Sequence, residues 1–215
     1  MQQGRPTPRS DGHAMKTRDV ASGICLSMSL RLATIAFAIA ASITAHAEIL
    51  EELTYNYYTA VATAGQPLHG ALDAASPIRE NDLVFHGHTR WDVTWHFRWA
   101  NESDGRCHIT AATVTLKSVI RLPLLRADSL KRQQLFDRYL ESLRKHELGH
   151  HQIGRDAAKA VEQEILSQPE MRTCKLLEQT INQRATDLIA GFNSRNLTYD
   201  QQTEHGKTQG AWLTQ

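Results

Sequence analysis

The sequence predicts an α+β fold in which an N-terminal antiparallel β-sheet region packs against a long helix and a second, C-terminal helix. Apolar and polar residues alternate with a period of two between residues 85 and 99. A proline-free stretch at 128–168 then carries apolar residues at helical spacing, and a similar pattern runs from 170 to about 193. The β patterns therefore precede the helical ones along the chain.

The start of the chain has the features of a secretory signal rather than of a folded domain. A positive charge precedes an apolar run at 32–43, and small residues follow, so cleavage is predicted after Ala47. The run is short for a membrane span, and a retained anchor is the alternative. Met28 is an alternative start, because a signal that begins there has an ordinary length.

We therefore divide the chain into an upstream segment and signal peptide, 1–47, and a single domain, 48–215, that is long enough to enclose a core. The signal predicts a periplasmic or secreted protein with no stable membrane anchor after cleavage. A formal net charge of +1 and the lack of a basic patch interleaved with aromatic residues argue against a nucleic-acid partner. The sequence does not specify an oligomeric state.

Two cysteines, Cys107 and Cys174, remain in the predicted domain. In an oxidising compartment we expect them to form a disulfide that closes a long loop. Two buried thiols are the alternative. Cysteines so far apart do not form a zinc knuckle.

The region from 53 to 120 is predicted to be mainly β. A first strand is expected at 55–59, and a short helix at 67–75 starts on a proline. The apolar register of the next strand contains Phe85, Trp91, Val93, Trp95, Phe97 and Trp99. Its polar register contains His86, His88, Arg90, Asp92, Thr94, His96 and Arg98. We predict that the first register faces the core and the second faces water, with an aromatic binding surface as the alternative for the tryptophans.

Two features of this strand bear on the site and on the topology. His86 and His88 share a face and could chelate a metal, but the solvated face explains them and we leave them out of the site. A polar turn at 101–106 and a β-branched strand at 107–120 complete a hairpin. The sequence at 122–124 is predicted to end the β region.

The long helix is predicted to begin at an N-cap, Asp128. Its apolar stripe contains Phe136, Tyr139, Leu140, Leu143, His146, His150, Ile153, Ala157, Val161 and Ile165. The two histidines interrupt this stripe, and buried polar groups carry a desolvation cost that a bound metal would offset. After the second helix, the residues at 191–193 are predicted to lead into a loop at 199–206.

The sequence His146-Glu147-Leu148-Gly149-His150 has the HExxH pattern. On a helix the two imidazoles lie about 40° apart around the axis, so both can reach one ion. Glu147 lies about 60° from His150, close enough to contact a water on that ion but poorly placed to be a ligand. The pattern therefore supplies two ligands and a general base.

A catalytic zinc has three protein ligands and one open position. We predict His205 as the third ligand, because a loop can carry a side chain over the helix and Gly206 allows a tight turn and close approach. Asp200 is the alternative, either as a ligand or as a group that orients an imidazole. Carboxylates of the second helix are a further alternative: Glu170, Glu178 and Asp187.

These motifs together resemble a bacterial family of unknown function described as predicted secreted zinc-dependent proteases. The resemblance rests on HELGHH at 146–151, on Tyr199-Asp200 and on the threonine-any-histidine-glycine pattern that ends at Gly206. The tryptophan-rich strand, the two cysteines and the signal peptide add to it. It implies a zincin-like metallopeptidase with His146 and His150 as ligands and Glu147 as base.

The expected function is that of a secreted or periplasmic zinc metallopeptidase, a hydrolase acting on a peptide or protein substrate. Zn²⁺ would activate a water, Glu147 would accept its proton, and Tyr199 is the candidate donor to the oxyanion. A non-catalytic zinc-binding envelope protein is the main alternative, and an interaction module that uses the β face is the third. Imidazole ligands favour zinc over other metals.

Overall fold

The structure is a computed structural model that describes residues 8–10, 46–80 and 82–213. Its strands are β1 (Pro8–Ser10), β2 (His46–Ala62), β3 (Ile78–Glu80), β4 (Leu83–Phe85), β5 (His88–Asn101) and β6 (Cys107–Ala127). Its α-helices are α1 (Leu68–Ala75), α2 (Leu130–Leu166) and α3 (Cys174–Thr203), and a 3₁₀ turn follows at Lys207–Gln209. Sheet and helices together confirm the predicted mixture of α and β structure.

The main sheet has the order β1-β5-β6-β2. The predicted hairpin is confirmed, since β5 and β6 pair antiparallel with an irregularity between Arg98 and Trp99. The prediction of an antiparallel sheet is wrong for the other pairs, because β2 lies parallel to β6 and β1 parallel to β5. Pairing direction between strands far apart in sequence depends on the intervening chain, which here includes α1, the small β3–β4 hairpin and β5.

Strand β6 continues through the residues that were predicted to end it. The ladder with β5 stops at the His88–Arg121 pair, whereas the ladder with β2 continues to Ala127. Pro123 therefore lies where one side of β6 has no partner among the described strands. Such a position tolerates a residue without an N–H, which is why proline does not end the strand.

The core confirms that the tryptophan register faces inward. Trp91 and Trp95 are almost completely buried between the sheet and the helices. Gly154 allows α2 to approach β5 closely, because a Cβ there would lie 2.8 Å from Cγ of Trp91. The apolar residues of α2 belong to two separate clusters: Phe136, Tyr139 and Leu143 in one, and Ile153, Ala157, Ala158, Val161 and Ile165 in the other. The HExxH residues occupy the helix between these clusters.

Both long helices differ from their predicted bounds. The N-cap of α2 is Ser129, and Asp128 instead pairs with Arg132 at 2.8 Å. Helix α3 continues past Gly191 to Thr203, so the predicted loop at 199–206 is mostly helical. A glycine inside a helix costs only about 1 kcal/mol. Residues on both sides of Gly191 pack on the core and offset this cost: Leu188, Ile189, Phe192 and Tyr199.

The expected disulfide is present between Cys107 and Cys174, whose Cα atoms lie 5.1 Å apart. It joins the first residue of β6 to the first residue of α3. Backbone hydrogen bonds between Cys107 and Met171 support the same junction. Together they fix where α3 starts along the sheet.

The predicted signal peptide lies almost entirely outside the described residues. Its last two residues, His46 and Ala47, are paired with β6 at the start of β2. Within the described part of the chain, none of the helices combines the length and apolar character needed to cross a membrane.

We expect the double substitution Cys107→Ser and Cys174→Ser to lower the free energy of unfolding by about 4 kcal/mol, because the bridge closes a long loop in the unfolded chain. Urea unfolding followed by circular dichroism measures the change. The wild-type protein in reductant is the control and should match the double variant, which itself should not respond to reductant. Equal stability of oxidised and reduced wild type would contradict this prediction.

Candidate metal centre

The HExxH segment is helical, and its two histidines face helix α3. His146 and His150 are 3% and 1% exposed. Their Nε2 atoms lie 3.2 and 2.8 Å from the same atom, Oδ1 of Asp200. The donor atoms of these three residues all lie within 4.8 Å of one another. Two imidazoles and one carboxylate thus converge on a single point between α2 and α3.

The other ring nitrogen of each histidine contacts a side-chain amide. His150 Nδ1 lies 3.0 Å from Oδ1 of Asn196, and His146 Nδ1 lies 3.1 Å from Oε1 of Gln209. These contacts hold each ring on its Nδ1 side. Each ring therefore directs its Nε2 atom towards Asp200, and metal-binding histidines are held in the same way, through the nitrogen that does not bind the ion.

The distances from Asp200 to the two imidazoles are close to those between ligands of one zinc ion. Zinc bonds of 2.0–2.2 Å separate neighbouring ligand atoms by about 3.3 Å. The observed distances of 3.2 and 2.8 Å from Asp200 to the two rings require side-chain shifts of only a few tenths of an ångström. Imidazole nitrogen and carboxylate oxygen are also the donor types that catalytic zinc sites use.

Asp200 and His150 each stabilise the charged form of the other. Burial disfavours the ionised form of Asp200, but hydrogen bonds and charge from His146 and His150 hold the pKa of its carboxyl below the ordinary value. Burial also disfavours the charged form of His150, whereas Asp200 raises the pKa of its ring above the ordinary value. The carboxylate of Asp200 therefore stays ionised between the two helices and attracts a cation.

Glu147 is buried beside the three converging residues. Burial raises the pKa of its carboxyl, since the charged form loses water. The Thr89 hydroxyl lies 2.7 Å from Oε2 and 3.0 Å from the backbone carbonyl of Glu147. A Cβ at Gly87 would lie 2.5 Å from Oε1, so the chain that enters β5 passes directly over this carboxylate. The sheet therefore holds the predicted base in one position.

Tyr199 lies on α3, and its ring packs against the rings of His146 and His150. Its ring stacks on the His146 ring with centroids 5.1 Å apart and an interplanar angle of 9°. Its hydroxyl lies 3.3 Å from the His146 carbonyl and accepts a hydrogen bond of 3.0 Å from Gln209 Nε2. Gln209 also contacts His146 Nδ1, so its amide connects the Tyr199 hydroxyl to that ring nitrogen.

His205 lies at the edge of the site. It follows the end of α3, where Glu204, His205 and Gly206 all have positive φ, as the predicted tight turn requires. His205 Nδ1 is 3.7 Å from Asp200 Oδ1, and its side chain is 52% exposed. Its ring contacts Phe85 at a centroid distance of 5.0 Å. His205 is not among the residues whose donor atoms lie within 4.8 Å of one another.

The sequence pointed to Tyr199 and Asp200 but not to Asn196, Thr203 and Gln209, which also contact the histidines. Asn196, Tyr199, Asp200 and Thr203 follow one another at helical spacing on the inner face of α3. Asn196 and Thr203 are buried, at 1% and 8% exposure. The spacing of three, four and seven residues was the signal for this face, but Gly191 suggested that the helix had already ended. Gln209 has no pattern of its own.

Two of the other carboxylates considered as ligands contact residues outside the site. Glu170 precedes α3 and pairs with Arg106 at 2.9 Å. Asp187 accepts a hydrogen bond from Gln183 on the outer face of α3. The carboxylate that the second helix does bring to the site is Asp200.

The prediction that His86 lies on a solvated sheet face is wrong. His86 lies in the connection between β4 and β5 and is 9% exposed, because this connection packs against α1 and α2. Its Nδ1 lies 2.7 Å from the Tyr139 hydroxyl and its Nε2 lies 2.8 Å from Asp73. Burial lowers the pKa of the His86 ring, which Asp73 only partly offsets.

A family model described as "Bacterial protein of unknown function (DUF922)" matches residues 55–206. The chain belongs to this family. The match begins in β2 and ends at Gly206, so the DUF922 region contains all three converging residues, His205 and both cysteines. No curated protein and no solved structure matches the chain. The family description assigns no activity, so the protease function remains a proposal.

The packing of α3 on α2 in this DUF922 domain requires a glycine at position 149. A Cβ there would lie 2.1 Å from the Tyr199 hydroxyl. We expect Gly149→Ala to displace Tyr199 from His146, to destabilise the protein by about 1–3 kcal/mol and to weaken zinc binding. Urea unfolding and zinc titration measure both effects.

The matched control is Gly191→Ala in α3, where a Cβ meets nothing within 4 Å. This change should stabilise the protein by about 0.4–1 kcal/mol, because alanine restricts the unfolded chain and favours the helix. A stabilising Gly149→Ala would show that Tyr199 does not lie where the structure puts it.

Proposed function

We propose that this DUF922 protein is an exported zinc-dependent metallopeptidase whose zinc ligands are His146, His150 and Asp200. The observation that carries the proposal is the convergence of two Nε2 atoms on one carboxylate oxygen beside a buried glutamate. The contacts of both Nδ1 atoms with side-chain amides support the ligand role, since they orient the two Nε2 atoms towards the position that a cation would take. Bound zinc would supply a Lewis acid that polarises a carbonyl group and lowers the pKa of water.

Glu147 is the proposed general base. It is adjacent to His146 and is held by Thr89 at 2.7 Å, so its carboxylate need not reorganise to accept a proton from the attacking water. The same carboxyl then delivers the proton to the leaving amine. Gly87 leaves room for this carboxylate, because any side chain there would overlap Oε1.

His205 and Tyr199 take different roles in this proposal from those expected from sequence. The donor atoms of His146, His150 and Asp200 lie within 4.8 Å of one another and His205 is outside this group, so Asp200 is the proposed third ligand. The exposed His205 ring is accessible to a substrate and is the proposed donor to the oxyanion. Tyr199 is a positioning residue, since its ring supports His146 while its hydroxyl contacts Gln209.

Export is supported by two independent features. The apolar run at 32–43 has the length and flanks of a secretory signal. The Cys107–Cys174 disulfide suits an oxidising compartment such as the periplasm or the extracellular space. A peptide or protein in that compartment is the proposed substrate.

One observation favours a second function, that of a zinc-binding envelope protein without turnover. Glu147 is only 3% exposed, and Thr89 already occupies one of its oxygens. In that case zinc would join α2 to α3, and the protein would bind zinc tightly without cleaving peptides. The Glu147 variant described next separates the two functions.

We expect Glu147→Gln to retain the zinc content of the wild type and to lower peptide cleavage by at least about 100-fold, because an amide cannot accept the proton. Metal analysis and cleavage of an unfolded protein substrate measure the two effects. The control is Glu141→Gln, an exposed residue of the same helix, which should leave both unchanged. Zinc-loaded wild type that cleaves no peptide would instead support the envelope protein.

The third ligand is tested by comparing Asp200→Asn with His205→Ala. We expect Asp200→Asn to weaken zinc affinity by more than about 100-fold, because a ligand is lost. His205→Ala should change the affinity little and should lower kcat. Competition with a chromophoric chelator measures the affinity. Loss of zinc in His205→Ala, with zinc retained in Asp200→Asn, would restore His205 as the third ligand.

A further inference from the structure

We infer that His69, Asp73 and His86 form a second binding site, for a divalent transition metal ion such as Zn²⁺. His69 Nδ1 lies 3.0 Å from Asp73 Oδ2, and His86 Nε2 lies 2.8 Å from Asp73 Oδ1. The donor atoms of the three residues lie within 4.8 Å of one another. This site is separate from the one between α2 and α3 and does not depend on the proposed peptidase activity.

The backbone presents these side chains together for simple reasons. His69 and Asp73 are four residues apart in α1, so they project from the same face of that helix. His86 comes from the short connection between β4 and β5, which passes in front of that face. The His69 and His86 rings consequently meet edge to face, with centroids 5.5 Å apart.

His86 is held in the manner of a metal ligand. Its Nδ1 lies 2.7 Å from the Tyr139 hydroxyl on α2, which leaves Nε2 directed at Asp73. Tyr58 on β2 donates a hydrogen bond of 3.0 Å to the His86 carbonyl and fixes the backbone. At His146 and His150, likewise, Nδ1 contacts a neighbouring side chain and Nε2 faces a carboxylate.

The donor set and the exposure indicate which ion would bind. Two imidazole nitrogens and one carboxylate oxygen suit zinc, nickel or copper, whereas calcium and magnesium prefer oxygen ligands alone. The side chains of His69 and Asp73 are 53% and 34% exposed, while that of His86 is 8% exposed. One side of the site is therefore open to solvent, so a water can complete the coordination and the ion can exchange.

An ion at this second site would restrain the segment at 85–87, which borders the first site. Phe85 contacts His205, and Gly87 lies against the Glu147 carboxylate. His86 is between these two residues in the chain. Metal bound by His86 would thus fix the segment that passes over the proposed base.

The experiment measures zinc equivalents by calorimetric titration and by metal analysis of the purified protein. We expect two zinc equivalents per chain in the wild type and one in His69→Ala. His69 is exposed, so its replacement should leave the fold intact, and circular dichroism checks this directly. The control is His108→Ala, a half-exposed histidine paired with Glu102 on the β5–β6 hairpin, which should retain both equivalents.

A second pair of variants separates the two sites. His146→Ala should retain one zinc equivalent, and His146→Ala combined with Asp73→Asn should retain none. A zinc stoichiometry that is the same in wild type and His69→Ala would overturn the second site, whatever the result at His146. Loss of zinc only in the His146 variants would leave the peptidase proposal intact and reject this one.

Discussion

The structure depends on the contact between the polar face of α3 and the histidines of α2. Asp200 faces both His146 and His150, and Asn196 holds the far side of the His150 ring. Buried polar groups are costly unless each is satisfied, so the two helices must meet in one register. Tyr199 also restricts this register, because its ring and hydroxyl occupy the position that a side chain at Gly149 would take.

Apolar packing around the site offsets the desolvation cost of this polar contact. Two core clusters flank the histidines along α2, one with Phe136 and Leu143 and the other with Ile153 and Val161. The Cys107–Cys174 disulfide fixes the start of α3 against the sheet. The helix pair is thus anchored on both sides of the site, so the proposed ligands would lose little conformational freedom on binding a cation.

The connection between β4 and β5, together with Phe85, contacts residues of both proposed metal sites. Phe85 contacts His205, His86 contacts Asp73 and Tyr139, and Gly87 lies over Glu147. Helix α1 and the sheet therefore contribute to the same region as α2 and α3. If both proposed sites bind zinc, this short segment is where they are coupled.

The sequence by itself determined the elements whose patterns are local: the tryptophan-rich strand, the hairpin, and HExxH on a helix with both rings on one face. Tertiary structure decided what those patterns cannot encode. It carried α3 past Gly191, because packing on the core outweighs a propensity cost of about 1 kcal/mol, and so placed Asp200 opposite the histidines. It also set β2 parallel to β6 and buried His86, since both depend on contacts between residues far apart in the chain.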